Sequence, residues 1–273
     1  MSVSIARGCI PSNIDLRDYR VSAAGAEALP EKYACANLPK VKNQGSVSSC
    51  VAHAVSSILE FFDGIDGSAH NLSTNFIYGA EKAVCGREGK GMLLRNACKI
   101  VKEFGTPPEV LCKGNDEVPR AYEIAEAALA DNEICGRAWY FHIDSYYDCK
   151  TEDAIKKAIY KYGPVLACVK WYDDFKVKNG MLASSLKGDY GWHAVILYGW
   201  DEDGYLMQNS WGTSWGTKGR AIIPYDFPIT EVKALLDSTM DIDESDFIIP
   251  KRNKFLDFIY TIINWILNLF KKY

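Results

Sequence analysis

Nowhere in the 273 residues do two cysteines stand in a C-x-x-C pair. That removes the usual cysteine metal-ligand signature, and neither a metal nor another cofactor is expected. A basic excess is also missing. The formal net charge is -4, which leaves no electrostatic footprint for nucleic acid as a partner. Nine cysteines are far too few for a small disulfide scaffold, and most of them read as small buried hydrophobes. Nine is odd, so at least one is free or pairs between chains. The N-terminus lacks a charged region followed by a long apolar one, so no secretory signal is read there. Histidines are scarce: His53, His70, His142 and His193. Composition is 48% apolar and 24% charged, which excludes a disordered chain. The length allows one large domain or two lobes sharing a cleft.

What is present centres on residues 44–53, Gln-Gly-Ser-Val-Ser-Ser-Cys-Val-Ala-His. A Gln-Gly turn leads into Cys50, and the apolar run Val51, Ala52, Ala54, Val55, Ile58, Leu59 follows at helical spacing. Cys50 therefore falls in the first turn of a helix. Backbone N–H groups and the helix dipole there favour a thiolate over a thiol, whose free pKa is about 8.5. Two later stretches complement it. His193 starts the apolar strand Ala194 to Tyr198, and Asn209 follows in the next strand. Adjacent strands let the amide carbonyl hold the imidazole in one orientation and tautomer, and Trp211 can shield that bond from water. Thiol, imidazole and amide in this order point to nucleophilic cysteine catalysis. Gln44, six residues ahead of Cys50, offers a side-chain N–H that can join the Cys50 backbone N–H on a developing oxyanion, or it is simply a turn glutamine. His53 lies one helical turn beyond Cys50 and reads as a packed core histidine. His70 and His142 read as structural or solvated.

Along the chain, residues 1–29 read as an extended arm without a core of its own. Helices are expected from Cys50 to about Phe62, after Ser73, from Leu93 to Phe104 with Gly105 as the stop, and from Val118 to Leu129. Residues 1–131 thus read as mainly helical. Strands are expected over Ala138 to Tyr147, Val165 to Trp171, His193 to Trp200, Tyr205 to Asn209 and Arg220 to Pro224. A helix capped by Thr151 and stopped by Gly163-Pro164 interrupts them. The fold class is α+β: a helical lobe over about 30–135, a mainly antiparallel β lobe over about 136–235, and a cleft between. Residues 236–273 form an extension. Within it, Asp257, Thr261, Asn264, Asn268 and Lys272 make one polar stripe on an apolar helix over 255–270. That helix can dock on protein, lie in a membrane interface or anchor in a membrane.

Three stretches give the chain a family resemblance. They are Val41-Lys-Asn-Gln44-Gly45 with Cys50, Trp192-His193-Ala-Val195 with Gly199-Trp200, and Asn209-Ser-Trp211-Gly-Thr-Ser-Trp215-Gly216. From about Leu29 to Pro224 the sequence resembles the papain-like cysteine peptidases, the cathepsin family, peptidase C1. The resemblance implies a papain-like two-lobe fold. It makes Cys50 the nucleophile, His193 the general base and then acid, Asn209 the orienting residue and Gln44 the oxyanion donor. It also implies a protein or peptide substrate lying extended in the cleft. Gly91 and Lys90 fall where the family pairs with substrate backbone, and Trp192, Cys168 and Ala194 fall beside the scissile bond. Trp211 joins them as a candidate for substrate contact. Val47, Ser48 and Val51 replace the cysteine, glycine and tryptophan usual around the nucleophile.

The leading expectation is a cysteine-type endopeptidase working through an acyl-thioenzyme. A peptide ligase or transferase on the same site, and a catalytically silent membrane-associated scaffold, are the alternatives. The arm at 1–29 is expected to act as a short propeptide-like segment lying over or near the cleft. An intracellular or virus- or phage-associated setting is favoured, with a membrane or partner contact through 255–270 as a further expectation.

Overall fold

The computed structural model describes residues 7–13, 15, 18–22, 28–65, 70–237 and 247–248. The helix expected over 255–270 lies outside the described residues. The first half of the chain contributes β1 (Cys9–Ile10), β2 (Arg20–Val21), β3 (Tyr33–Ala34), α1 (Cys50–Ile65), α2 (Thr74–Cys85), β4 (Met92–Leu93), α3 (Leu94–Glu103), α4 (Arg120–Leu129) and α5 (Asn132–Trp139). The second half contributes β5 (Ser145–Asp148), α6 (Glu152–Tyr162), β6 (Val165–Tyr172), β7 (Lys176–Lys178), β8 (Met181–Ala183), β9 (Tyr190–Trp200), β10 (Gly204–Gln208), β11 (Arg220–Pro224), β12 (Ile229–Leu236) and β13 (Phe247–Ile248). Among the described residues, no helix is long and apolar enough to cross a membrane.

Helix α1 is the central element. All its residues from Cys50 to Phe62 are buried, as expected of a helix that is covered on every side. It packs on α2, α3 and β4 on one side and on β6 and β9 on the other. Its buried Glu60 is satisfied by Lys42 Nζ at 2.6 Å and by the Leu72 N–H at 2.8 Å. Helices α2 and α6 start where side-chain caps allow. Ser73 accepts from the Phe76 N–H and Thr151 from the Ala154 N–H.

Among the described residues the large sheet has eleven strands, in the order β13-β2-β5-β12-β6-β9-β10-β11-β8-β7 with β3 also paired to β9. The central pairs are antiparallel, and His193 lies opposite Val169 and Ala194 opposite Cys168 on β6. Leu166, Val169, Ile196 and Leu197 are essentially fully buried there. Each such side chain contributes about 1.5–3 kcal/mol. A separate two-stranded parallel sheet joins β1 to β4.

Some boundaries differ from the sequence expectation. The strand expected over Ala138–Tyr147 is only Ser145–Asp148, because Asp131 caps a helix that runs through Trp139 by accepting from the Glu133 and Ile134 N–H groups. The first helix runs past Gly64 to Ile65. Strand β12 was not anticipated, since Glu231 and Lys233 break its apolar pattern. Both are buried, and Lys233 Nζ pairs with Asp148, with Asp18 at 3.5 Å and with Glu231 at 3.4 Å.

Candidate active site

Cys50 is the first residue of α1 and is fully buried. The turn before it is held by backbone and side-chain bonds. The Val47 N–H donates to the Gln44 carbonyl at 3.1 Å. Asn115 Nδ2 donates to the same carbonyl at 2.7 Å, and the Ser48 N–H donates to Glu117 at 2.6 Å. Asn115 and Glu117 carry no motif, so sequence reasoning did not single them out. Burial pushes the Cys50 thiol up to about 11, outweighing the opposing effect of the backbone at Ala194, Gly8, Val51 and Cys50.

His193 lies on β9, next to Ala194. Its Nε2 is 2.7 Å from Asn209 Oδ1, which also accepts the Ser210 N–H at 2.8 Å. Because a backbone donor marks that amide atom as oxygen, the imidazole donates from Nε2–H. Nδ1 is then the bare acceptor of the neutral ring. It is buried and has no hydrogen-bond partner among the described residues. Trp211 stacks on the imidazole at 4.4 Å, and Trp171 meets it edge-on at 5.2 Å. Trp171 was not singled out from the sequence, because only the pairing of β6 with β9 brings it here. Burial lowers the His193 pKa to about 4. The Asn209 bond opposes that shift and the Arg7 charge adds to it.

Ser210 joins this strand end to Gln44. Its Oγ donates to Gln44 Oε1 at 2.6 Å, and the Gln44 N–H donates to the Ser210 carbonyl at 2.8 Å. The carbonyl end of the amide being fixed, Gln44 Nε2 is set in direction and donates to the Val47 carbonyl at 2.9 Å. His53 is buried in α1, with Nδ1 3.0 Å from the Ser49 carbonyl and 3.2 Å from Ser49 Oγ. His70 faces Asp63 at 3.1 Å, and His142 stacks on Trp139 at 4.1 Å.

The N-terminal arm runs through the same place. A Cβ built on Gly8 would lie 1.9 Å from the Ser48 carbonyl oxygen, so only glycine passes here. The Gly8 carbonyl accepts the Met92 N–H at 2.7 Å. Arg7 donates to the Trp171 carbonyl at 2.9 Å and pairs with Asp173 at 2.7 Å. Of the residues expected to meet substrate, Gly91 takes the Tyr78 hydroxyl on its N–H at 3.2 Å and Lys82 on its carbonyl. The Lys90 carbonyl accepts from Arg87 at 2.7 Å. Trp192 is half-buried against Tyr190, while Cys168 and Ala194 face each other across β6 and β9 with no exposure. Among the described residues, no group of three or more His, Cys, Asp or Glu side chains is arranged to hold a metal ion.

A family model described as papain family cysteine protease matches residues 29–226. A viral cathepsin of Spodoptera litura multicapsid nucleopolyhedrovirus is 26% identical over 220 residues, covering 76% of this chain and 62% of that protein. An uncharacterized peptidase C1-like protein of Acanthamoeba polyphaga mimivirus is 25% identical over 211 residues, covering 69% of this chain and 65% of its own length. The chain thus spans less than two thirds of either curated relative. Among solved structures, xylellain, a cysteine protease from Xylella fastidiosa, shares the fold with a TM-score of 0.73 at 24% identity, covering 85% of this chain and 96% of that one.

Proposed function

The chain belongs to the papain family of cysteine proteases and has its α+β fold, and on that premise we propose that it is an endopeptidase with Cys50 as nucleophile. The observation that carries the reading is His193. Its Nε2 is committed to Asn209, and its bare, buried Nδ1 has no other partner among the described residues. The next residue along the strand, Ala194, lies on β9, against which the helix carrying Cys50 packs.

In this reading the Cys50 sulfur attacks the carbonyl carbon of the scissile peptide and its proton passes to His193 Nδ1. The Cys50 N–H and Gln44 Nε2 receive the oxyanion, each such donor contributing about 3–4 kcal/mol in the transition state. His193 then returns the proton to the departing amine, leaving an acyl-thioenzyme. Water, deprotonated by His193, releases the carboxylic acid and restores the thiol. Trp211 and Trp171 keep the imidazole–amide bond dry, and Ser210 positions Gln44. An extended peptide would pair along β4 beside Gly91 and place a side chain near Cys168, Ala194 and Trp192. The lobes at about 30–135 and 136–235 form the cleft walls, and residues 7–10 close it as an inhibitory segment. The viral origin of two relatives supports a virus-associated setting.

The test is peptide turnover by wild type and Cys50→Ala in reducing buffer, with products read by mass. Wild type is expected to yield hydrolysed fragments, and the variant to lose about four orders of magnitude or more in rate. Joined peptides as the main product would instead assign the ligase activity. Equal turnover by both proteins would overturn the reading.

A further inference from the structure

Two further cysteines lie on elements that meet around Cys50, and no step of the peptidase chemistry uses their thiols. Cys9 is on β1, directly after the Gly8 that presses on the Ser48 backbone, and is only 4% exposed. Cys168 is on β6 opposite Ala194 and is fully buried. One belongs to the arm and the other to the pocket wall, 159 residues apart in sequence. Strand β1 packs on β9, the strand that pairs with β6, and this brings the two thiols within pairing reach of each other; both are free cysteines. The remaining ties on this part of the arm are noncovalent. Arg7 holds Trp171 and Asp173, the Gly8 carbonyl holds Met92, and the Ser12 N–H donates to Glu231 at 2.8 Å. Several are partly exposed or single bonds, which a competing peptide can replace.

We propose that Cys9 and Cys168 form a redox latch: oxidation ties residues 7–10 into the cleft over Cys50, and reduction frees them to leave. The proposal rests on the reading of Cys50 as the nucleophile. The oxidant is a small-molecule disulfide such as oxidised glutathione. One protein thiolate attacks it and releases a small thiol, leaving a mixed disulfide. The second protein thiolate displaces the other half. Two electrons pass from the cysteine pair to the small disulfide, and the two protons end on the released thiols. A dithiol runs the sequence backwards. The bond adds no inhibitory contact of its own. It keeps the arm at high effective concentration beside its site, so that substrate competes with an intramolecular occupant.

The full chain and Cys9→Ser are equilibrated across ratios of reduced to oxidised glutathione. A Cys9–Cys168 linked peptide is then quantified by non-reducing mass mapping alongside peptide turnover. In wild type the linked peptide should rise with oxidation, and turnover should fall in step by about tenfold or more, while Cys9→Ser stays within about twofold of its reduced rate. Dithiothreitol should restore wild type. Absence of the linked peptide at every ratio would overturn the latch, as would a full linkage with undiminished turnover, or an equal loss in Cys9→Ser, which would mean direct oxidation of Cys50. Amide exchange over residues 7–10 reads arm release without catalysis and should be slower in the oxidised protein. A reduced protein that cleaves nothing would therefore sink the peptidase reading while exchange and linkage still decide the latch.

Discussion

His53 and His193 are both buried, and both are held at a pKa of about 4, with burial as the main cause. Their partners differ. His53 is closed onto its own helix through Ser49, whereas His193 bonds across to Asn209 and its Nδ1 has no hydrogen-bond partner among the described residues. Both depress the protonated form, so the sign of their effect on stability is fixed. Between about 6.5 and about 4 the unfolded chain binds protons that the folded chain refuses. The stability they confer is complete above about 6.5 and is lost as pH falls through that window. A shift of this size corresponds to about 3 kcal/mol per buried histidine. Urea midpoints measured from pH 7 to pH 4 should fall for wild type, and His53→Gln should flatten that fall by roughly this amount. Parallel pH profiles for the two proteins would show that His53 does not resist protonation.

At the scale of elements, the proposed regulation falls to the arm and the strands it meets. Strand β1 pairs in parallel with β4, and Gly8 has backbone on one side with no room for a side chain. Farther along, Asp18 pairs with Arg95 and Lys233, and Arg20 pairs with Asp148 in register with β5. Removing the whole arm would thus leave Lys233 and Arg95 short of a partner, while a change at Gly8 alone disturbs only the cleft. Gly8→Val should push residues 7–10 out and raise reduced-state turnover several-fold, with the thermal midpoint nearly unchanged. Unchanged or lower turnover would mean that this segment does not restrict access. Elements with local signals were legible in the sequence: Ser73 and Thr151 mark two helix starts, Gly105 and Gly163 two stops, and β11 falls at Arg220–Pro224 as expected. Those set by distant partners were not. The charges of β12 make sense only beside Asp18 and Asp148, and α5 follows from a single cap at Asp131.

For the whole molecule, the sequence motifs name residues in both halves of the chain, and the fold explains why they converge. A helix buried on all sides presents Cys50 to the strand that carries His193, and Ser210 links Asn209 to Gln44 across 166 residues. That link, the tryptophan at 171 and the meeting of Cys9 with Cys168 depend on strand order, which no local pattern encodes. In the proposed function Cys50, alone among nine cysteines, becomes an activated nucleophile once the cleft is open. That role is tested most directly by treating reduced Gly8→Val with a cysteine-directed epoxide at pH 6.5 and mapping the adducts by mass. One adduct is expected, on Cys50, and it should be lost when Asn209→Ala is added at the same inhibitor dose. Adducts spread over several cysteines, or none on Cys50, would contradict it.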